Sequence, residues 1–133
     1  MESRELALVS LVAGLALVEY LIFLLQCGRA RGRLGIPAPA TTGHPEFERA
    51  LRVQYNTIEQ LVIFLPALFG FARFASPTWA AALGAVFVAG RALYARAYLR
   101  DPAKRGPGFG LTLGANVALL AGATIGALSE WLW

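Results

Sequence analysis

Residues 6–25 decide most of what this chain can become. They form a run of 20 residues in which Ser10 and Glu19 are the only plainly polar side chains. A helix rises 1.5 Å per residue, so such a run matches the ~30 Å hydrocarbon core of a bilayer. A soluble domain carries about a quarter charged residues. Here 15% are charged, 57% are hydrophobic and the mean hydropathy is +0.57. The chain of 133 residues therefore reads as a single all-α domain spanning a membrane.

Apolar periodicity and breakers give four helices, at about 5–27, 45–74, 78–99 and 110–131. The first is expected to be a retained span, because no cleavage site follows it. Residues 28–43 hold three arginines, two prolines and several glycines, and read as a loop. Thr42 or Gly43 is expected to cap the second helix. Pro66 is expected to kink it, with neighbouring helices satisfying the freed carbonyl. Ser76-Pro77 marks a turn, as do Asp101-Pro102 and Gly106-Pro107-Gly108. Trp131 and Trp133 read as interfacial anchors. The Gly122/Gly126 pair matches GxxxG, and ordinary bundle packing accounts for it.

The first loop carries Arg29, Arg31 and Arg33, and the third carries Arg100, Lys104 and Arg105. Basic loops stay in the cytoplasm, which places both termini outside. The net charge of +4 belongs to these loops, not to a solvent-facing stripe for nucleic acid. The single cysteine, Cys27, excludes an intramolecular disulfide framework and a multi-cysteine metal site, and no metal is expected. His44 reads as a loop histidine.

Two polar ladders interrupt the apolar pattern. With Arg52 at zero on the helical wheel, Asn56 falls about 40° to one side and Glu59 about 20° to the other. Gln54 lies about 200° away, on the opposite face, as a neighbouring subunit would require. On the third helix Arg91, Tyr94, Tyr98 and, if the helix continues, Arg105 share one face. Ionisable groups in a membrane face a partner, a cavity or a polar ligand. The functional reading is an anionic, peptide-like ligand near the cytoplasmic face. Arginines would clamp its carboxylates, Glu59 its ammonium and Asn56 an amide. The competing reading is ion pairing within the bundle, Arg52 or Arg91 against Glu59 and Glu19. Glu19, deep in the first helix, reads as the partner of Arg91 or Arg52, or as a proton or cation carrier.

The stretch Thr-Thr-Gly-His-Pro-Glu-Phe-Glu-Arg at 41–49, continued by Arg52, Asn56 and Glu59, resembles the signature of the MAPEG family, membrane-associated proteins in eicosanoid and glutathione metabolism. Gly-Arg-Ala-Leu-Tyr at 90–94, with Tyr98 and Arg105, resembles that family's third-helix motif. The first loop, with Pro37 before Thr-Thr-Gly, is similar to that of the branch holding leukotriene C4 synthase and the type 2 and type 3 microsomal glutathione transferases. The resemblance implies a four-helix subunit in a homotrimer, with glutathione as co-substrate bound between subunits. By the same resemblance Arg52, Asn56, Glu59, Arg91, Tyr94 and Tyr98 contact glutathione, and Arg31 and Gln54 reach it across the interface. Arg105 stabilises its thiolate. The implied activity is detoxifying conjugation to hydrophobic electrophiles drawn from membrane lipid, with reduction of lipid hydroperoxides as a second reaction. Gly32 and Gln60 depart from the leukotriene-forming pattern, which has arginine and tyrosine there. The alternatives are a non-catalytic lipid-binding scaffold of the same family and a small multidrug-type exporter using Glu19. Ala/Gly/Arg-rich usage points to a bacterial inner membrane.

Overall fold

The computed structural model describes all residues, 1–133. Four helices follow one another: α1 (Ser3–Arg33), α2 (Pro45–Phe74), α3 (Pro77–Arg100) and α4 (Gly106–Leu132), with a single 3-10 turn at Pro102–Lys104 between α3 and α4. There is no strand. All four are long and apolar enough to cross a membrane. The connections alternate ends, so the C-terminus of α1, the N-terminus of α2, the C-terminus of α3 and the N-terminus of α4 meet at one end of the bundle. α2 and α3 each pack on both α1 and α4, while α1 and α4 hardly meet.

The core lies between α2 and α3. Phe64 of α2 stacks on Phe87 of α3 with ring centroids 3.9 Å apart, and Val9, Val12 and Ala16 of α1 close over Leu61 and Leu68. The outward faces stay apolar: Leu11, Leu15, Val62, Val117 and Ile125 are exposed. In water that surface would collapse, whereas in lipid it is at home. Lipid provides no hydrophobic drive between helices, so close packing must hold them. Glycines make it possible. A Cβ at Gly126 would lie 2.7 Å from the carbonyl oxygen of Phe74, so the Gly122/Gly126 pair serves contact between α4 and α2 within one chain.

α1 continues past the expected loop boundary to Arg33. Arginine is a good helix former, and Cys27 and Ala30 gain packing against Phe47, Ala50 and Leu51 of α2. Arg31 and Arg33 also sit well at a helix C-terminus. The stop is a Schellman motif: Ile36 N–H donates to Arg31 O (3.0 Å) and Gly35 N–H to Gly32 O (3.4 Å). Gly35 has φ +65°, the left-handed conformation that favours glycine at this position.

The cap of α2 is His44, not Thr42 or Gly43. Its Nδ1 accepts from Glu46 N–H at 3.1 Å, and Pro45 opens the first turn. α2 then passes Pro66 as one continuous helix. α4 begins at Gly106, four residues before the expected start, because Pro107 is tolerated in a first turn.

Candidate functional site: a polar cavity at the basic end of the bundle

Arg52 and Asn56 come from one face of α2, Tyr94 and Tyr98 from one face of α3. α3 ends at Arg100, because Asp101 precedes a proline and adopts an extended backbone (φ −155°, ψ 105°). Arg105 therefore does not reach the site along the α3 wheel, as the extended-helix expectation had it. Asp101 Oδ1 accepts from Ala103 N–H at 3.1 Å, the 3-10 turn reverses the chain, and Arg105 arrives at the head of α4. Its Nη1 donates to Pro102 O at 2.8 Å.

These elements enclose a cavity of about 590 Å³ lined by Arg52, Asn56, Tyr94, Tyr98, Ala103, Arg105, Gly106 and Phe109. Small-molecule sites run about 300–1,000 Å³. Five of the nine residues singled out from the sequence meet here. Two guanidiniums and two stacked phenols, ring centroids 5.6 Å apart, dominate the wall. The first turn of α4 adds unpaired N–H groups at the same place, since α4 has no side-chain cap. The cavity is thus electropositive, hydrogen-bonding and apolar at its Phe109 edge.

Arg91 lies behind this wall, not in it. It is fully buried. Nε donates to Thr112 Oγ1 (3.0 Å), and Nη1 donates to Asn56 Oδ1 (2.6 Å) and Thr57 Oγ1 (3.4 Å). Its Cζ sits 4.3 Å from the centroid of the Tyr94 ring. It therefore grips two residues of the wall at once. With Oδ1 of Asn56 held, the amide Nδ2 is the end left free for a ligand. Arg91 makes no salt bridge, and neither does Arg52; the one salt bridge in the chain joins Arg33 to Glu46 on the surface. Arg91 instead donates to three neutral side chains, with no carboxylate within salt-bridge distance.

Glu59, Gln54 and Arg31 lie outside the cavity of the single chain. Glu59 is exposed and Gln54 half-buried. Arg31 is engaged in its own loop, its Nη1 donating to Ala40 O (2.9 Å) and Pro37 O (3.3 Å), with its Cζ 4.6 Å from the Phe47 ring centroid.

Several participants escaped the sequence reading. Thr57 and Thr112 anchor Arg91. Arg49 Nη1 donates to the last carbonyls of α3, Leu99 O (3.4 Å) and Arg100 O (3.5 Å), and ties α2 to the end of α3 beside the cavity. Asn116 Nδ2 donates to Gln60 Oε1 (2.9 Å) and Gln60 O (3.2 Å). The polar pair Thr112/Asn116, spaced four apart in an apolar helix, was the available signal. α3 and α4 come close enough for these bonds because Gly90 and Gly108 face each other's helix: a Cβ at Gly108 would lie 2.6 Å from Tyr94 Cα.

A four-helix, multi-pass membrane protein with an arginine- and tyrosine-lined site at its basic end is the class this geometry defines. Residues 9–125 match the MAPEG family model, and the chain belongs to that family. An uncharacterised protein of Synechocystis is 47% identical over 133 residues, covering all of this chain and 94% of that protein. Human microsomal glutathione S-transferase 2 is 35% identical over 125 residues, 94% of this chain and 85% of that protein. Leukotriene C4 synthase of Cavia porcellus is 35% identical over 128 residues, 96% of this chain and 85% of that protein.

Proposed function

We propose that this protein is a trimeric membrane glutathione transferase that binds glutathione in the cavity, ionises its thiol and conjugates it to hydrophobic electrophiles. The observation that carries this reading is the convergence of Arg52, Asn56, Tyr94, Tyr98 and Arg105 on one cavity of peptide size. Glutathione is an anionic tripeptide-like thiol. Arg52 clamps a carboxylate, Asn56 Nδ2 donates to a carbonyl, and the tyrosine hydroxyls donate to the ligand backbone. Glu59 takes the ammonium. The neighbouring subunit closes the open side with its copies of Arg31 and Gln54.

A free thiol has a pKa near ~8.5, so about 3% is thiolate at pH 7. Each pKa unit is worth about 1.4 kcal/mol. A guanidinium held ~4 Å from sulfur in a partly shielded site supplies up to a few kcal/mol. Arg105 is that guanidinium, and the α4 N-terminus adds to it. The thiol proton passes to water. The thiolate then forms the S–C bond as the leaving group departs with its electron pair. The same thiolate reduces lipid hydroperoxides: two glutathiones give the disulfide, and the hydroperoxide gives an alcohol and water. The electrophile partitions from lipid to the Phe109 edge, so proximity does much of the work.

Gln60 spends its side chain on Asn116, which makes it a packing residue of α2 and α4 and disfavours leukotriene formation. The basic loops favour a site on the cytoplasmic side with both termini outside, and we read the membrane as a bacterial inner membrane. Calorimetric titration of the detergent-purified protein with glutathione tests the reading, alongside turnover of a nitro-activated aryl chloride. Saturable binding and conjugate formation are expected. Binding without conjugation would leave the lipid-binding scaffold, and no binding by the folded protein would overturn the site.

A further inference from the structure

We propose that Glu19 is the counter-ion of Arg91 and, through it, a positioning residue that sets how Asn56 faces the cavity. The inference rests on the glutathione reading of that cavity for its ligand, but not for its structural core.

Three buried side-chain atoms in the whole chain lack a hydrogen-bond partner: Glu19 Oε1, Arg91 Nη2 and Asn116 Oδ1. Two of them carry opposite charges. Ala16, three residues before Glu19 on α1, packs in one cluster with Phe87, and Phe23, four residues after it, packs in another with Tyr94 and Ala95, so Glu19 stands at the level of Arg91. A guanidinium offers five N–H donors in a fixed plane. Nε and Nη1 are spent on Thr112, Asn56 and Thr57, all neutral acceptors. Nη2 is the arm left over, and Glu19 is the anion at its level, standing beyond salt-bridge distance in this structure. A fully buried cation without a counter-charge is unfavourable in a bilayer. Glu19 supplies that charge from α1, on the other side of the α2–α3 core from α4. α2 and α4 hold the plane of Arg91 by hydrogen bonds, and the charge on α1 biases its orientation from the third side, and with it the grip of Nη1 on Asn56 Oδ1. Glu19 touches neither ligand nor cavity; it acts through Arg91.

The chain has two asparagines, Asn56 and Asn116. Selective ¹⁵N-asparagine labelling of the detergent-purified protein therefore yields two side-chain amide signals, assigned with Asn116→Gln. Glu19→Gln, which removes the charge and keeps the shape, is expected to shift the Asn56 signal in ligand-free protein. It is also expected to weaken glutathione binding about tenfold, the size of a coupling carried by one shared side chain. The kcat at saturating glutathione is expected to fall less than the affinity does. In an Asn56→Ala background the substitution is expected to weaken binding no further. An unmoved Asn56 signal, or losses that simply multiply in the double variant, would overturn the inference. Should Glu19→Gln not fold, Glu19→Asp withdraws the charge by one methylene; it is expected to shift the signal partway, and no shift overturns the inference equally. A wild-type protein whose Asn56 signal ignores added glutathione would sink the ligand assignment alone, since the ligand-free shift decides the role of Glu19.

Discussion

Replacing Gly108 by alanine sets two physical rules against each other. Alanine is favoured over glycine inside a helix by about 1 kcal/mol, so propensity alone makes Gly108→Ala stabilising. The packing says otherwise. The new Cβ would stand 2.6 Å from Tyr94 Cα and 2.9 Å from Tyr94 Cβ, and backbone cannot step aside as a flexible side chain would. α4 must retreat from α3, at a cost of about 1–3 kcal/mol for overpacking. The retreat also carries Thr112, one turn further along α4, away from Arg91. That bond is 3.0 Å long, and an ångström of movement ends it. A buried donor left unpaired costs about 1–3 kcal/mol more. Subtracting the helix gain leaves a net loss of about 1–5 kcal/mol. Gly114→Ala is the control, because a Cβ there meets nothing within 4 Å. Thermal and dodecyl-sulfate unfolding in detergent, followed by circular dichroism, would rank the two variants, and glutathione titration would report on the cavity. Gly108→Ala is expected to unfold earlier and bind glutathione more weakly, while Gly114→Ala matches or slightly exceeds the parent. A Gly108→Ala protein as stable and as tight-binding as Gly114→Ala would refute the close-packing argument.

Three further outcomes follow from the same geometry. Thr112→Val keeps the shape of the side chain and orphans Arg91 Nε, so unfolding in detergent should show a loss of about 1–3 kcal/mol. Arg52→Ala and Glu59→Gln should each raise the glutathione Kd by calorimetry while leaving kcat at saturation within a few-fold. Arg33→Gln breaks the one salt bridge of the chain, but both partners are 53% exposed, so the same unfolding assay should register less than about 1 kcal/mol.

Much of the fold was written in hydropathy. Long apolar runs admit few solutions in lipid, and Pro45 and Ser76-Pro77 punctuate them clearly, because proline is at home in a first turn. The end of α1 was hidden. Its Gly-Arg alternation looks like a loop until Cys27 and Ala30 are seen against Phe47 and Ala50, a tertiary contact no local pattern carries. The cavity was legible as two stripes, since spacing on a helix fixes which residues share a face. Depth was not: Arg52 and Arg91 look alike on their wheels, yet one lines the cavity and the other is sealed behind it. Arg105 reached the site by a turn and not by helical phase. Thr57 and Thr112 were missed because a threonine in a membrane helix ordinarily bonds its own backbone, as both do here to Val53 O and Gly108 O, and gives little sign of a second partner.

Thiolate formation is the step on which the proposed chemistry turns, and ultraviolet difference absorbance at the thiolate band reads it directly. Glutathione would be added to the purified protein and to Arg105→Ala, with binding to each followed in parallel by calorimetry. The expected result is a thiolate signal that saturates with binding in the parent and is lost in Arg105→Ala, although that variant still takes up glutathione. Bound glutathione that stays a thiol in the parent, or a thiolate signal that survives in Arg105→Ala, would contradict the role given to Arg105.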